Sequence, residues 1–344
     1  MQEEVRTVKH TEENPTEEEQ ISSSVFNRSS ADYETESRKD QFVRSVDTRI
    51  LAPLRIIVHD WRGLIGGAIL LLYILMGTIG VLLVEAPEIG QGPRFAGLFT
   101  DGHLLGTDNQ GRDLLSLTVH ATPAMLEMII SGAVFTTIVA TIVGTVSGYK
   151  SGIIDRISMV VTDIMLTIPG LPLVIVIAAI LDPRTPWVVG IVLTINAWAG
   201  LARTIRAQVL TVREESYVEA SRVMGFSTSG ILRRDIIPQL MPYIGVNFMQ
   251  AARNVIFASV GLYYLGVLPF THYNWGIILN QAYGGGALWN VSYLHWMVVP
   301  IVTISLISLS LILLTQSADR VFNPRVRAKH SRTVSDDSDA AEHN

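Results

Sequence analysis

Six long apolar blocks constrain this chain more than anything else in it. They fall at 63–84, 124–146, 157–181, 187–202, 243–268 and 294–314, and most are close to 20 residues long. At ~1.5 Å of rise per residue, ~20 helical residues cover the ~30 Å hydrocarbon layer of a bilayer. Lipid supplies no hydrogen-bonding partner for the backbone, so these blocks are expected to be helices that satisfy their own N–H and C=O groups. With 49% hydrophobic residues concentrated in the blocks, the two soluble domains that 344 residues would permit are excluded. The expected fold is all-α integral membrane with six transmembrane helices.

The connections carry the orientation. Arg44, Arg49, Arg55 and Arg62 precede the first block, whereas 85–122 holds only Arg94 and Arg112 against five acids. The link between blocks four and five has Arg203, Arg206, Arg213, Arg222, Arg233 and Arg234, and 269–293 has no Lys or Arg. Arg320, Arg325, Arg327, Lys329 and Arg332 follow the last block. The positive-inside rule then puts both termini in the cytoplasm, which requires an even number of spans, and six fits. Trp187, Trp289 and Trp296 fall near expected outer boundaries and Trp61 near an inner one, positions suited to interfacial anchors. The net charge of −5 comes mainly from the ends: residues 1–41 carry eleven Asp/Glu against five Lys/Arg. Residues 1–45 lack the periodicity needed to bury a face and are expected to be a disordered acidic tail. A second tail is expected over 319–344. The first apolar run begins near Gly63 and is too long for the core of a cleaved signal.

The segment 203–242 is too long and too polar for a simple turn. Arg213 through Met224 is expected to be one helix, with Tyr217, Ala220, Ser221 and Met224 on one face. Gly225 is placed to end it in a left-handed conformation, and Ser227 or Thr228 to cap a second helix running through Ile237. Pro238 and Pro242 stand where the chain is expected to change direction into the fifth span. The product is a helix–Gly–helix elbow with Phe226 at its bend.

Glu219-Ala220-Ser221, Gly225 four residues on, and Ile236-Ile237-Pro238 resemble the EAA loop of ABC importer permeases. His103-Leu104-Leu105-Gly106-Thr107-Asp108-Asn109-Gln110-Gly111-Arg112-Asp113 is similar to the HxLGTDxxGRD run of the oligopeptide/dipeptide/nickel permeases, C-type subunit. Asp155, Asp163 and Ile168-Pro169-Gly170-Leu171-Pro172 resemble that family's third span. Tyr264-Leu265-Gly266-Val267 with Asn274-Trp275-Gly276 resembles the end of its fifth span, and Asp319-Arg320 with Asn323-Pro324-Arg325 its cytoplasmic exit. The resemblance covers roughly 50–328. It departs from the family at Ser221, the third EAA position, and at Phe257-Ala258-Ser259-Val260-Gly261, where an acidic, Ala-rich run is common.

The resemblance implies an ABC importer type I transmembrane fold. It divides the chain into a first helix and external segment over 46–121 and a type-1 domain over 122–318. It implies that Glu219, Ala220, Ser221, Gly225, Phe226, Ile237 and Pro238 dock on a cytoplasmic ATPase. It implies a structural role, shaping the outer gate, for Gly106, Thr107, Asp108, Gly111, Arg112 and Asp113. A charge inside a span needs a partner or a wet cavity, so Arg253, with Asn254, is a candidate for the translocation path. A structural hydrogen bond is expected for Asp163.

No Walker motif is present, so ATP and Mg²⁺ are expected in a separate subunit, with no cofactor on this chain. The eight histidines show no paired metal spacing, and zero cysteines exclude Cys-type zinc and iron–sulfur sites. No catalytic residue and no nucleic-acid partner are expected. The implied function is the permease subunit of an ATP-driven importer of di- or oligopeptides. Its implied partners are a second, B-type permease, one or two cytoplasmic ATPases, an extracytoplasmic solute-binding protein and membrane lipid. Import of nickel or another small solute is the alternative within the family. A membrane enzyme lacks an intramembrane catalytic pair, and a stand-alone carrier lacks visible inverted repeats with broken helices.

Overall fold

Proline and glycine decide where the helices of this chain bend. The computed structural model describes residues 60–100 and 102–322, all within the unit that begins at Ile56. The tail expected over 1–45, most of the one expected over 319–344, and Asn323, Pro324 and Arg325 lie outside the described residues.

Helix α1, Trp61–Leu83, opens on Asp60, whose carboxylate accepts from the Arg62 N–H at 3.2 Å. It widens into a π turn at Met76–Gly80. Helix α2, Leu114–Lys150, has 37 residues and so spans about 55 Å, well beyond the hydrocarbon layer. Helices α3, Gly152–Thr167, and α4, Gly170–Leu181, meet at 88°. The residue before a proline is pushed out of the helical region, and Ile168 is accordingly extended ahead of Pro169. Helices α5, Pro186–Leu193, and α6, Trp198–Val212, meet at 61°. Three short elements follow: α7, Ser216–Val223, α8, Thr228–Ile231, and a π turn at Leu232–Ile236 that leads into α9, Ile237–Tyr264. Helices α10, Trp275–Gly284, and α11, Leu294–Phe322, complete the described chain.

The helical class agrees with the expectation, and the number of spans does not follow from it. Helices α1, α2 and α11 are each long and apolar enough to cross a membrane, and counting each bent pair as one span gives five. Helix α9 has the length, at 28 residues, but Asn247, Gln250, Arg253 and Asn254 dilute its apolar content. Two broken helices are present among the described residues. They lie in consecutive segments and not in matching positions of two halves.

Two cores hold the helices. One gathers Met125 and Met128 of α2, Ile256 of α9, Trp275 of α10 and Trp296 of α11. The other joins Ile205 and Val209 of α6 to Val218, Ile231, Ile236 and Leu240 of the elbow. Helices α2 and α6 approach closely at Gly144 and Gly148. A Cβ at Gly144 would stand 2.7 Å from the Ala202 carbonyl oxygen, and one at Gly148 2.8 Å from Val209 Cβ. Small residues at four-residue spacing are how helices pack tightly where lipid offers no hydrophobic drive.

Trp296 is not an interfacial anchor. It is fully buried, with Phe95 edge-on at 5.9 Å, and Gly285 leaves room for its six-membered ring. Trp61, Trp187 and Trp289 are exposed, as anchors require.

Candidate functional site

Two constellations stand at opposite ends of α2. The first is a clasp ahead of its N-terminus. Asp108 is fully buried, and its Oδ1 accepts from the N–H groups of Gln110 at 2.8 Å and Arg112 at 2.9 Å. Its Oδ2 accepts from Arg112 Nε at 2.6 Å. The Arg112 guanidinium also donates through Nη2 to Gln281 Oε1 of α10 at 2.8 Å. A buried ion pair withstands its desolvation when its remaining donors and acceptors are met, and here two backbone N–H groups and Gln281 meet several of them. Asp113 caps α2 by accepting from the Ser116 N–H at 2.8 Å, while its other oxygen lies 3.0 Å from His103 Nδ1. Thr107 donates its hydroxyl to the Pro93 carbonyl and accepts from the Ala96 N–H at 2.9 Å. Gly106 sits at φ +80°, and a Cβ there would stand 2.4 Å from the Ala96 carbonyl oxygen. Gly111, at φ +73°, is held as closely against the Gly92 carbonyl. His295 Nε2 lies 3.2 Å from the Thr107 carbonyl, which ties the clasp to α11.

The second constellation is the elbow. Helix α6 ends at Val212 and α7 runs from Ser216 to Val223, so the helix expected from Arg213 to Met224 starts three residues late. Arg213 closes α6, and its guanidinium donates to the Gly148 carbonyl at 3.0 Å and to Ser151 Oγ at the end of α2. Val218 and Ser221 turn inward and are buried, whereas Glu219 and Ala220 are exposed. Tyr217, Val223, Met224 and Phe226 are exposed as well, a run of apolar surface on a polar end of the chain.

The chain reverses at Gly225, at φ +80°, a conformation that side-chain-bearing residues adopt only under strain. The Gly225 N–H donates to the Arg222 carbonyl at 3.1 Å and the Phe226 N–H to the Ser221 carbonyl at 3.2 Å, closing the carbonyls of α7. Ser227 then accepts from the Gly230 N–H at 3.3 Å and caps α8. One face of the Phe226 ring is covered by the Arg234 guanidinium, centred 5.5 Å away. Tyr217 donates its hydroxyl to Gln239 Oε1 at 2.6 Å. Burial, with Glu215 and Asp235 nearby, holds that phenol above its usual range, so it stays a donor. Ile237 is half-buried and Pro238 exposed. Neither Pro238 nor Pro242 turns a corner, contrary to expectation. Pro238 offers no N–H to the Arg234 carbonyl, and the wider turn at Leu232–Ile236 takes up the missing bond while the helix continues.

The elbow is fastened to the spans. Arg206 of α6 forms a two-point ion pair with Asp155 of α3, and Arg203 pairs with Asp163. Arg222 stacks over Tyr149 at 5.6 Å. Several arginines that charge distribution alone would assign to orientation are thus also used within the chain. Arg253 is half-buried in α9, and its Nε has no hydrogen-bond partner among the described residues. Asn254 beside it is exposed. Sequence reasoning missed Gln281, His295, Val218 and Ile231. The first two act across long sequence separations, and the last two are ordinary aliphatic residues whose importance lies only in where they point. Among the described residues no group of three or more His, Cys, Asp or Glu could hold a metal ion.

Residues 140–328, which include the elbow, match the family described as binding-protein-dependent transport system inner membrane component. This chain belongs to that family of transport permeases. It is similar to the dipeptide transport system permease protein DppC of Bacillus subtilis, at 30% identity over 62% of this chain and 67% of that one. The oligopeptide transport system permease protein OppC of the same organism is 33% identical over 52% of this chain and 59% of its own length. A putative peptide transport system permease of Brucella suis is 31% identical over 66% and 75%. The matches with the two Bacillus proteins span only three-fifths to two-thirds of those relatives.

Proposed function

We propose that this chain is the C-type permease subunit of an ATP-driven importer of di- or oligopeptides, coupled to a separate ATPase through the elbow. The observation that carries this reading is the division of labour within α7. Val218 and Ser221 lock it into the core shared with α6, while Ala220, Val223 and Met224 face outward. Force applied to that face passes into α6 and, through the Arg206–Asp155 and Arg203–Asp163 pairs, into the bent α3–α4 segment. Glu219, Ala220, Ser221, Gly225, Phe226, Ile237 and Pro238 form the docking surface and its bend. The membrane-spanning count is six, with α9 as the fifth span in chain order and both termini cytoplasmic, a reading supported by the arginine distribution.

ATP and Mg²⁺ belong to one or two ATPase subunits. A B-type permease completes the pathway, and an extracytoplasmic solute-binding protein delivers peptide to the clasp end. Nucleotide acts as the biasing ligand between two conformations, and only its differential affinity for them moves the spans. This chain performs no covalent chemistry. Gly106, Thr107, Asp108, Gly111, Arg112 and Asp113 keep the outer gate rigid. Arg253 and Asn254 face the pathway or the B-type permease, because α9 buries its opposite side through Ala252, Val255 and Ile256.

The wild-type chain has no cysteine, so Met224→Cys introduces a single exposed thiol on the docking face. In membranes holding the whole system, a short thiol-directed cross-linker at this position is expected to capture the ATPase subunit. Capture of the ATPase from Thr100→Cys in the clasp but not from Met224→Cys would reject the reading.

A further inference from the structure

Two cavities meet at Pro123 and Glu127 of α2, and their linings differ in kind. One is open, about 580 Å³, and the more polar of the two: Arg112, His120, Glu127, His272, Tyr273 and Asn274 are set among apolar residues such as Leu117, Phe270 and Ile278. The other is about 750 Å³ and almost wholly apolar. Leu70 and Ile74 of α1, Ile130 and Val134 of α2, Phe248 of α9 and Ile307 of α11 line it. The polar chamber adjoins the clasp, and the apolar one runs along the membrane-crossing parts of α1, α2 and α11. Counting ~20 residues back from Val146 puts the outer limit of the hydrocarbon layer near Glu127.

Charge decides what the junction accepts. Glu127 is exposed and makes no hydrogen bond or ion pair with any described residue. Arg112 is the one Lys or Arg on the polar chamber, and its guanidinium is already engaged by Asp108 and Gln281. His120 Nδ1 lies 3.0 Å from the Ser116 carbonyl oxygen, so that nitrogen carries the proton and the imidazole adds no vacant donor at Nδ1. The junction therefore offers an unpaired carboxylate and no free arginine or lysine. It suits a head that ends in a cationic group with N–H donors and disfavours one of net negative charge. The apolar chamber beside it requires that head to carry a hydrocarbon tail.

We infer that the joined cavities bind a phospholipid with a primary-amine headgroup. One acyl chain fills the space between α1, α2, α9 and α11, the ammonium meets Glu127, and the phosphate lies toward the open polar chamber. The site is separate from the elbow and from the proposed coupling. A seated chain would lie beside Pro123 and the π turn of α1, where Gly77 also lines the apolar chamber.

The test is native mass spectrometry of the purified full-length chain in detergent. Phosphatidylethanolamine, phosphatidylcholine and phosphatidylglycerol of identical acyl chains are added in turn. The wild type is expected to retain phosphatidylethanolamine at least fivefold over the other two. Glu127→Gln, a change at an exposed position, should reduce that preference to within twofold. Ile130→Trp, which fills the apolar chamber, should lower retention of all three lipids. Equal retention by the wild type, preference for phosphatidylglycerol, or an unchanged preference in Glu127→Gln overturns the inference. In assembled transporter membranes, a photo-reactive residue at Ile130 should label lipid. Labelling of another polypeptide there would mean a protein covers the groove, and would equally overturn it.

Discussion

Asp108 shows how one side chain in a loop governs the end of a molecule. Its two oxygens take two backbone N–H groups and a guanidinium, and that guanidinium reaches α10 through Gln281. Asp108→Ala strands Arg112, only 8% exposed, without its counter-charge. Leaving one member of a buried pair alone costs about 3–5 kcal/mol. The expected result is a clearly lowered unfolding temperature in detergent, whereas Gln281→Ala, which removes a single hydrogen bond, should cost about 1 kcal/mol. Equal, small shifts for both would show that the clasp does not rest on the ion pair. At this scale much was legible in the sequence. The glycines of the run and the cap at Asp113 follow from residue type and spacing. Gln281 and His295 did not, because nothing local marks an amide or imidazole that closes a contact 169 or 188 residues away.

Among the elements, α9 is the one whose chemistry least fits lipid. Asn247, Gln250 and Asn254 follow one another at helical spacing, with Arg253 alongside, and Gln250 and Asn254 are exposed. A polar stripe of this kind is expensive against hydrocarbon and marks a pathway or an interface. Arg253→Ala and Arg253→Lys should each lower uptake at least tenfold in membrane vesicles. Normal uptake and assembly in both would remove Arg253 from the path. Element boundaries were the weaker part of the sequence reading. The apolar block 157–181 looks continuous, yet Pro169 bends it by 88°. Residues 213–224 look like one helix, yet Arg213 closes α6 and bonds the end of α2, and the next helix begins only at Ser216. In both places a tertiary contact or a backbone constraint overrides hydrophobic periodicity, which cannot register either.

On the scale of the whole molecule, the account requires six crossings and an elbow on the inner side. With no native cysteine, Thr100→Cys and Ser229→Cys can be read separately with a membrane-impermeant thiol reagent. Both positions are exposed, so Thr100→Cys should label in intact cells and Ser229→Cys only after permeabilisation. Labelling of both from one side would force an even number of crossings between them and contradict the three expected there. The helical class and the family were both legible in the sequence, because apolar blocks and a handful of spaced residues carry them. How the elbow is anchored was not, since Val218 and Ile231 resemble any other aliphatic residues until the fold aims them at α6. The most direct test is Gly225→Val in the reconstituted transporter, with ATP hydrolysis and solute uptake measured together. A β-branched residue at φ +80° must distort the bend without touching the spans. The account predicts normal insertion and assembly, with uptake and its coupling to ATP hydrolysis lost. Unchanged, coupled uptake would contradict it.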